Sequence, residues 1–321
     1  MRDGMKLLIS ALDALGGYVS REFFHTMSDL IHIYGWVHVE PSILWESPET
    51  LRPAIQNRFG RLPDAVLFWE QFELCGTYLR DLMDLPCRKF IFADDLHWNN
   101  EEQRCLKYVV LDCFDAILSS YDYGLLTFYP ALRGKHSVWI PHAASPDFVM
   151  PLNDRPDEVV LLSGTINHIY PMRQQMKHLY DQERYSIRYH PHPGYHCGYR
   201  YGRDDRVGAA YARRLQGCFA AFTDSSKYQY VVAKYFEIPA TGCLLVADDT
   251  VKSVLRRLGF IEHMHYVPVS KLNLEASLEW VLHPGNRPLL DMVRERAQRL
   301  VLDRHLTGNR AQQIDRVCSM D

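Results

Sequence analysis

The sequence predicts an α/β protein built as two Rossmann-like lobes in tandem, each a parallel sheet covered by helices. Three observations carry that expectation. Short apolar runs rich in β-formers alternate with helix-patterned stretches. The alternation stops in a proline- and acid-rich segment, Pro146 to Glu158, and then restarts. The chain of 321 residues is too long for one ordinary domain and comfortable for two.

In the first half the strand candidates are "MKLLIS", "IYGWVHV", "DAVLFWE", "KFIFAD", "DAILSS" and "HSVWIP". Between several of them lie the helical stretches "TLRPAIQNRF", "GTYLRDLMDL" and "EEQRCLKYVVLDCF". Strand, helix and strand in repetition imply a parallel sheet with helices on its faces. Residues 1–145 are read as the first lobe and 146–157 as the linker.

From 158 to 285 the rhythm returns, with "EVVLLSG", "YSIRYHP", "CFAAFTD", "GCLLVAD" and "HYVPV" as buried strands. Helices are expected near 170–182, 204–216, 229–238, 250–258 and 273–283. The tail, 286–321, is charged and helical with a break at "HLTGN", and is expected to cross back to the first lobe and brace the cleft between lobes.

Charge is nearly balanced, with 36 Lys and Arg against 39 Asp and Glu, and 47% of residues are hydrophobic. This is the balance of a soluble enzyme-like globule. No basic face for nucleic acid is advertised. The eight cysteines form no CxxC pair and several sit in apolar runs, so they read as reduced core residues. No apolar run reaches about 18 residues and the N-terminal stretch lacks a signal-peptide pattern, which points to a cytoplasmic protein without a transmembrane segment.

Candidate chemistry concentrates at strand ends of the second half. In "LLSGTINHIYPMR", Gly164 and Thr165 end a strand, proline opens the next helix, and Arg173 in its first turn is placed to grip a phosphate through two donors. An ordinary tight turn is the competing reading of Gly164. "RYHPHPGYH" carries His190, His192 and His196, but zinc-ligand spacing is absent, so an imidazole facing a diphosphate or sugar hydroxyl is preferred to a metal site.

"FTDSSKYQYVVAKYFEIPATG" is the most informative stretch. Ser225 and Ser226 stand where the N-cap of a helix opening near Tyr228 belongs, with Lys227 beside them. The N–H groups of that helix are expected to seat phosphate oxygens. Further along, Lys234 can neutralise the same phosphates and Glu237, acceptor-only when ionised, can take both hydroxyls of a ribose. The plain alternative is an exposed i,i+3 ion pair on a surface helix.

In the first half, "FADDLHW" ends a strand and is expected to face the cleft. Asp95, with His97 as second candidate, is placed to deprotonate an acceptor hydroxyl. Alternatively, Asp94 or Asp95 caps the helix opening near Asn100.

Together, "WIPHAASPDF", "VVLLSGT…YPMR", "KYFEIPATGCLLVADD" and "HLTGNRAQQI", covering roughly 138–315, resemble the GT-B glycosyltransferases. They resemble in particular the CgeB-like group of spore-coat and surface-polysaccharide enzymes. The resemblance implies that the C-terminal lobe binds a sugar nucleotide, a UDP- or GDP-sugar, and the N-terminal lobe the acceptor. It also implies that Lys234 stands where the group usually has arginine, that Glu237 holds the ribose and that His142 lies near the sugar. A structural turn histidine is the other reading of His142. Retaining relatives often carry E-x7-E; eight residues before Glu237 this chain has Gln229.

The expected activity is therefore transfer of a sugar from a nucleoside-diphosphate donor to a hydroxyl acceptor in surface glycan or glycoprotein synthesis. It is expected to need neither a metal nor a permanent cofactor and to involve no nucleic acid. A sugar-nucleotide-binding subunit without catalysis, and a sugar-nucleotide epimerase on the same frame, are the alternatives.

Overall fold

The computed structural model describes residues 4–45 and 50–320. Among these, two compact units separate: one within Met1–Leu15, Thr26–Pro141 and Arg310–Asp321, the other within Gly16–His25 and His142–Asn309. Each contains one sheet.

The first sheet comprises β1 (Lys6–Ile9), β2 (Val37–Val39), β3 (Ala65–Trp69), β4 (Arg88–Ala93), β5 (Ala116–Ser119) and β6 (His136–Trp139). Its strands lie in the order β2-β1-β3-β4-β5-β6, all parallel. The apolar runs do not alternate because both faces are covered: Val66, Leu67 and Phe68 of β3 are all fully buried. The second sheet comprises β7 (Asp157–Gly164), β8 (Ile187–Pro191), β9 (Cys218–Thr223), β10 (Leu244–Asp248) and β11 (Val267–Val269). The order is β11-β10-β9-β7-β8, again all parallel.

Both sheets are thus Rossmann-like, and in each the chain reverses direction across the sheet between its first and third strands. Open α/β sheets bind ligands outside the carboxyl ends of the strands at that switch point. In the second unit the point lies between β7 and β9, where Gly164, Thr165, Thr223 and Asp224 are found.

The predicted helices form close to where the sequence places them, for example Pro171–Asp181, Gly208–Gln216 and Leu274–Leu282. One differs. The helix expected over 229–238 begins only at Lys234 and runs to Ala240. Upstream, the Ser226 hydroxyl accepts from Tyr228 N at 3.2 Å and Gln229 N donates to Ser226 O at 2.7 Å, closing a turn. Gln229 then adopts a positive φ of 59°. Serine side chains offer the backbone such alternatives to a helix, and Val231-Val232 adds β-branched crowding.

The short helix is anchored from behind by the long helix Arg287–Arg304. The buried Arg294 donates to Gly242 O at 2.8 Å and to Asn153 O at 3.0 Å. Gln298 donates to Met150 O at 2.9 Å and to Ala240 O at 3.2 Å. Among the described residues no helix is long and apolar enough to cross a membrane.

Candidate functional site

The end of β7 is built around a missing side chain. Gly164 has φ +99°, a region L side chains rarely adopt. A Cβ there would stand 2.8 Å from Arg173 Nη1 and 3.1 Å from Lys234 Cε. Two cations from different elements therefore converge on one strand end.

Arg173 is committed to the frame. Its Nε lies 2.8 Å from Asp224 Oδ1, both side chains being buried, and its other nitrogens reach Thr165 O at 3.3 Å and Thr223 Oγ1 at 3.4 Å. The guanidinium also lies over the Tyr170 ring, 3.8 Å from its centroid. Asp224 Oδ2 in turn accepts from Met172 N and Arg173 N at 3.1 and 3.2 Å. The anion seat at this helix tip is thus occupied by the chain's own carboxylate. The bidentate phosphate grip expected of Arg173 gives way to an ion pair bolting the end of β9 to the helix after β7.

The expected seat at Ser225 and Ser226 is likewise corrected. With the helix starting only at Lys234, neither serine caps it. Both are buried; Ser225 N donates to Asp248 Oδ2, and its hydroxyl lies 3.0 Å from Thr250 Oγ1. Lys227 is exposed, its Nζ 5.1 Å from the centroid of the Tyr228 ring, and its N–H donates to Ile169 O at 2.8 Å.

Lys234 and Glu237 lie inward, not on an exposed helix face. Lys234 Nζ donates to Tyr211 Oη at 2.6 Å and lies 3.4 Å from Ser163 Oγ. Glu237 is only 6% exposed. Burial pushes its carboxyl up to about 7, with Glu22 and Asp147 adding to the rise and Lys234 and His142 opposing it. A buried carboxyl held near neutrality is a functional-site signature with a physical cause.

The histidines at the end of β8 share this field. His190 stacks on Tyr211 with centroids 5.7 Å apart and planes at 15°. Its Nε2 is buried without a hydrogen-bond partner, and burial, then Arg214 and Lys234, hold the ring toward its neutral form. His192 is depressed further, to about 4, by burial and by Lys234 and Arg173. Its Nδ1 accepts from Gly194 N at 3.0 Å, so the neutral ring carries its proton on Nε2, as a donor. Thr165 Oγ1 donates to Tyr195 Oη at 2.9 Å. Among the described residues no three His, Cys, Asp or Glu side chains gather as a metal-holding cluster.

His142 is buried. Its Nδ1 lies 2.8 Å from Glu22 Oε2, while Ala143 N donates to Glu22 Oε1 at 2.6 Å. Alongside, Arg21 grips Asp147 through Nε at 3.1 Å and Nη2 at 2.6 Å. Residues 16–25, although they follow β1 in the chain, thus pack within the second unit.

In the first unit, Asp95 and His97 lie in the loop after β4. Their backbone carbonyls accept from the buried Lys107 Nζ, that of His97 at 3.1 Å. The Asp95 side chain is 61% exposed, with its Oδ1 3.7 Å from His97 Nδ1. Neither aspartate caps the next helix; Asn100 does, accepting from Gln103 N at 2.8 Å. Nearby, Glu70, just after β3, has φ +56°, and its Oε1 accepts from Asp94 N. Burial and the Asp94 charge push the Glu70 carboxyl up to about 8.

Sequence reasoning missed Glu22, Tyr211, Asp224 and Glu70. Asp224 lies within the quoted stretch before Ser225 but drew no notice there, and each of the four meets its partner at a distance in the chain. The one available signal was position: Asp224 immediately follows a predicted buried strand.

The sequence matches no protein-family model and no curated protein. Solved structures do share the fold. An alpha-glucosyltransferase in complex with UDP and a 13-mer DNA aligns with TM-score 0.63 and 11% identity, over 98% of this chain and 100% of that one. Anabaena HepE in complex with UDP and glucose aligns with TM-score 0.61 and 9% identity, over 98% and 99%. The pneumococcal O-GlcNAc transferase GtfA in complex with UDP and GlcNAc gives TM-score 0.52 and 10% identity, over 83% of this chain but 58% of that longer one. At these identities the likeness defines the fold: two Rossmann-like lobes of the GT-B type.

Proposed function

We propose that this protein is a glycosyltransferase whose second unit holds a nucleoside-diphosphate sugar, a UDP- or GDP-sugar, and which delivers the sugar to an acceptor hydroxyl. The observation that carries the reading is the approach of Lys234 to Gly164 at the end of β7, with the buried Glu237 one helical turn beyond Lys234. Gly164 lets a diphosphate approach the backbone, Lys234 supplies its counter-charge, and Glu237 takes the ribose hydroxyls. The neutral His192 offers an N–H donor to the same oxygens. UDP in each of the three structural neighbours supports the choice of donor class.

In this reading Arg173 and Asp224 hold the walls, and Ser225, Ser226 and Lys227 form the loop leading into the site helix. Lys234 supplies the counter-charge to the leaving diphosphate, and the reaction is proposed to need no metal. Asp95 and His97 are assigned to acceptor deprotonation. The order of the four resembling segments supports a CgeB-like enzyme of surface glycan synthesis.

A second reading, a sugar-nucleotide-binding subunit without turnover, is favoured by Gln229, which is neutral and sits in a strained turn. Incubation with UDP- and GDP-sugars separates the two. Slow release of nucleoside diphosphate above background, accelerated by a hydroxyl acceptor, is expected of the transferase; binding without release favours the subunit, and no binding rejects both.

A further inference from the structure

We infer that Tyr211 is a positioning residue of this site: with Ser163 it forms a hydroxyl cradle that holds the Lys234 ammonium beside Gly164 and leaves one of its N–H groups for the diphosphate of a bound nucleotide. The inference rests on the glycosyltransferase reading for its ligand but not for its geometry.

Three elements of the second unit bring the cradle together. Ser163 directly precedes Gly164 in β7, is buried, and is paired in register with His190 of β8. Tyr211 lies on the helix Gly208–Gln216, on the buried stripe that it shares with Ala212 and Leu215, while Arg213 and Arg214 are exposed. Lys234 opens the short site helix. Its Nζ lies 2.6 Å from Tyr211 Oη and 3.4 Å from Ser163 Oγ, and the two hydroxyls lie 2.6 Å apart, closing a triangle. The Tyr211 ring is fixed from two sides: Phe148 meets it edge-on with centroids 5.9 Å apart, and His190 stacks on it at 5.7 Å. A Cβ on Gly164 would stand 3.1 Å from Lys234 Cε, so the ammonium, one bond further, lies at the end of β7.

An ammonium only donates, so Tyr211 Oη accepts from Lys234, and the hydroxyl that takes up this charge-assisted bond is itself bonded to Ser163. Both partners are hydroxyls. A carboxylate in their place would cancel the charge that an incoming phosphate needs, whereas hydroxyls fix the side chain and leave that charge in force. Lysine carries three N–H donors on a flexible stem. The cradle engages two, one closely and one at the limit of hydrogen-bond length, and among the described residues the third has no acceptor. The freedom that Lys234 would otherwise lose on meeting a ligand is already lost in the free protein, which raises affinity for an anion without a new contact.

The cradle is read without ligand by nitrogen-15 NMR of lysine-labelled protein, with the Lys234 ammonium signal assigned by its loss in Lys234→Met. The wild type is expected to show an ammonium whose hydrogens exchange slowly with water. Tyr211→Phe, which keeps the ring and its packing, should show one that exchanges as fast as those of exposed lysines. Kd values for UDP and GDP, each beside its nucleoside, give the functional readout. For the diphosphate that binds, Tyr211→Phe should raise Kd about 5- to 10-fold, leave the nucleoside unchanged and have no further effect in the Lys234→Met background. Ser163→Ala, expected to act in the same direction, provides a second variant should Tyr211→Phe fold poorly. A wild-type Lys234 that exchanges like an exposed lysine, or a Tyr211→Phe that weakens nucleoside and diphosphate alike or acts equally with and without Lys234, overturns the inference. Binding of neither nucleotide by the wild type counts against the glycosyltransferase reading instead, and the exchange measurement then decides this one.

Discussion

Lys234 and Glu237 stand one helical turn apart without forming an ion pair. Lys234 Nζ is given to Tyr211 Oη at 2.6 Å, while the buried Glu237 carboxyl is pushed up to about 7. Side chains three apart on a helix can meet; here they serve different parts of one site, a cation beside Gly164 and an acceptor deeper in.

Glu237 makes donor binding pH-dependent. If its ionised form holds the ribose, affinity for a nucleotide sugar rises with pH until about 7, by up to about tenfold per unit, and then levels. Stability runs the other way. The folded carboxyl keeps its proton from its ordinary pKa of 4.5 up to about 7 while the unfolded one has lost it, so unfolding free energy falls with rising pH across that window. In Glu237→Gln both dependences should flatten, as titration calorimetry and thermal melting at pH 5, 6, 7 and 8 would show; an unchanged affinity profile would refute this role.

Removing the cation should weaken the diphosphate and little else. Lys234→Met is expected to raise the Kd for UDP about 10- to 100-fold, the worth of a lost charge-assisted hydrogen bond. The melting temperature without ligand should change little, because Lys234 is only partly buried.

A methyl at Gly164 should damage the site through shape alone. In Gly164→Ala the new carbon meets Arg173 Nη1 at 2.8 Å and Lys234 Cε at 3.1 Å at a positive φ. Roughly 1–3 kcal/mol of strain is expected in urea unfolding, together with weaker UDP binding.

Arg173 is predicted to matter for folding first. Arg173→Met leaves the Asp224 charge buried without its partner and should cost about 3–5 kcal/mol. Adding Asp224→Asn should restore part of that loss, since the amide oxygen still accepts from the helix tip. A surface-sized effect, below about 1 kcal/mol, would contradict the pairing.

The fold was legible because its signal is repetitive. Eleven short apolar runs, each separated by helical patterning, leave few arrangements besides two parallel sheets, and every predicted strand is present. Glu237 stood out in the sequence as a carboxylate one turn after Lys234 on a predicted helix; its burial depends on packing that the local pattern does not carry. Ser225 and Ser226 misled because a serine before a run of tyrosines and valines reads equally as cap or turn; the turn won through the Ser226 hydroxyl. Arg173 misled for a different reason. Its sequence position was right for a phosphate, but its partner Asp224 lies 51 positions away, and pairing across a sheet has no local signature.

Titration of the protein with UDP-glucose and GDP-sugars, beside Glu237→Ala, tests the central claim most directly. One nucleoside series is expected to raise the melting point of the wild type, by roughly 2.7 kcal/mol of stabilisation at a hundred times its Kd, and Glu237→Ala to remove the shift. A wild type indifferent to every nucleotide sugar, or a shift of equal size in the variant, would contradict it.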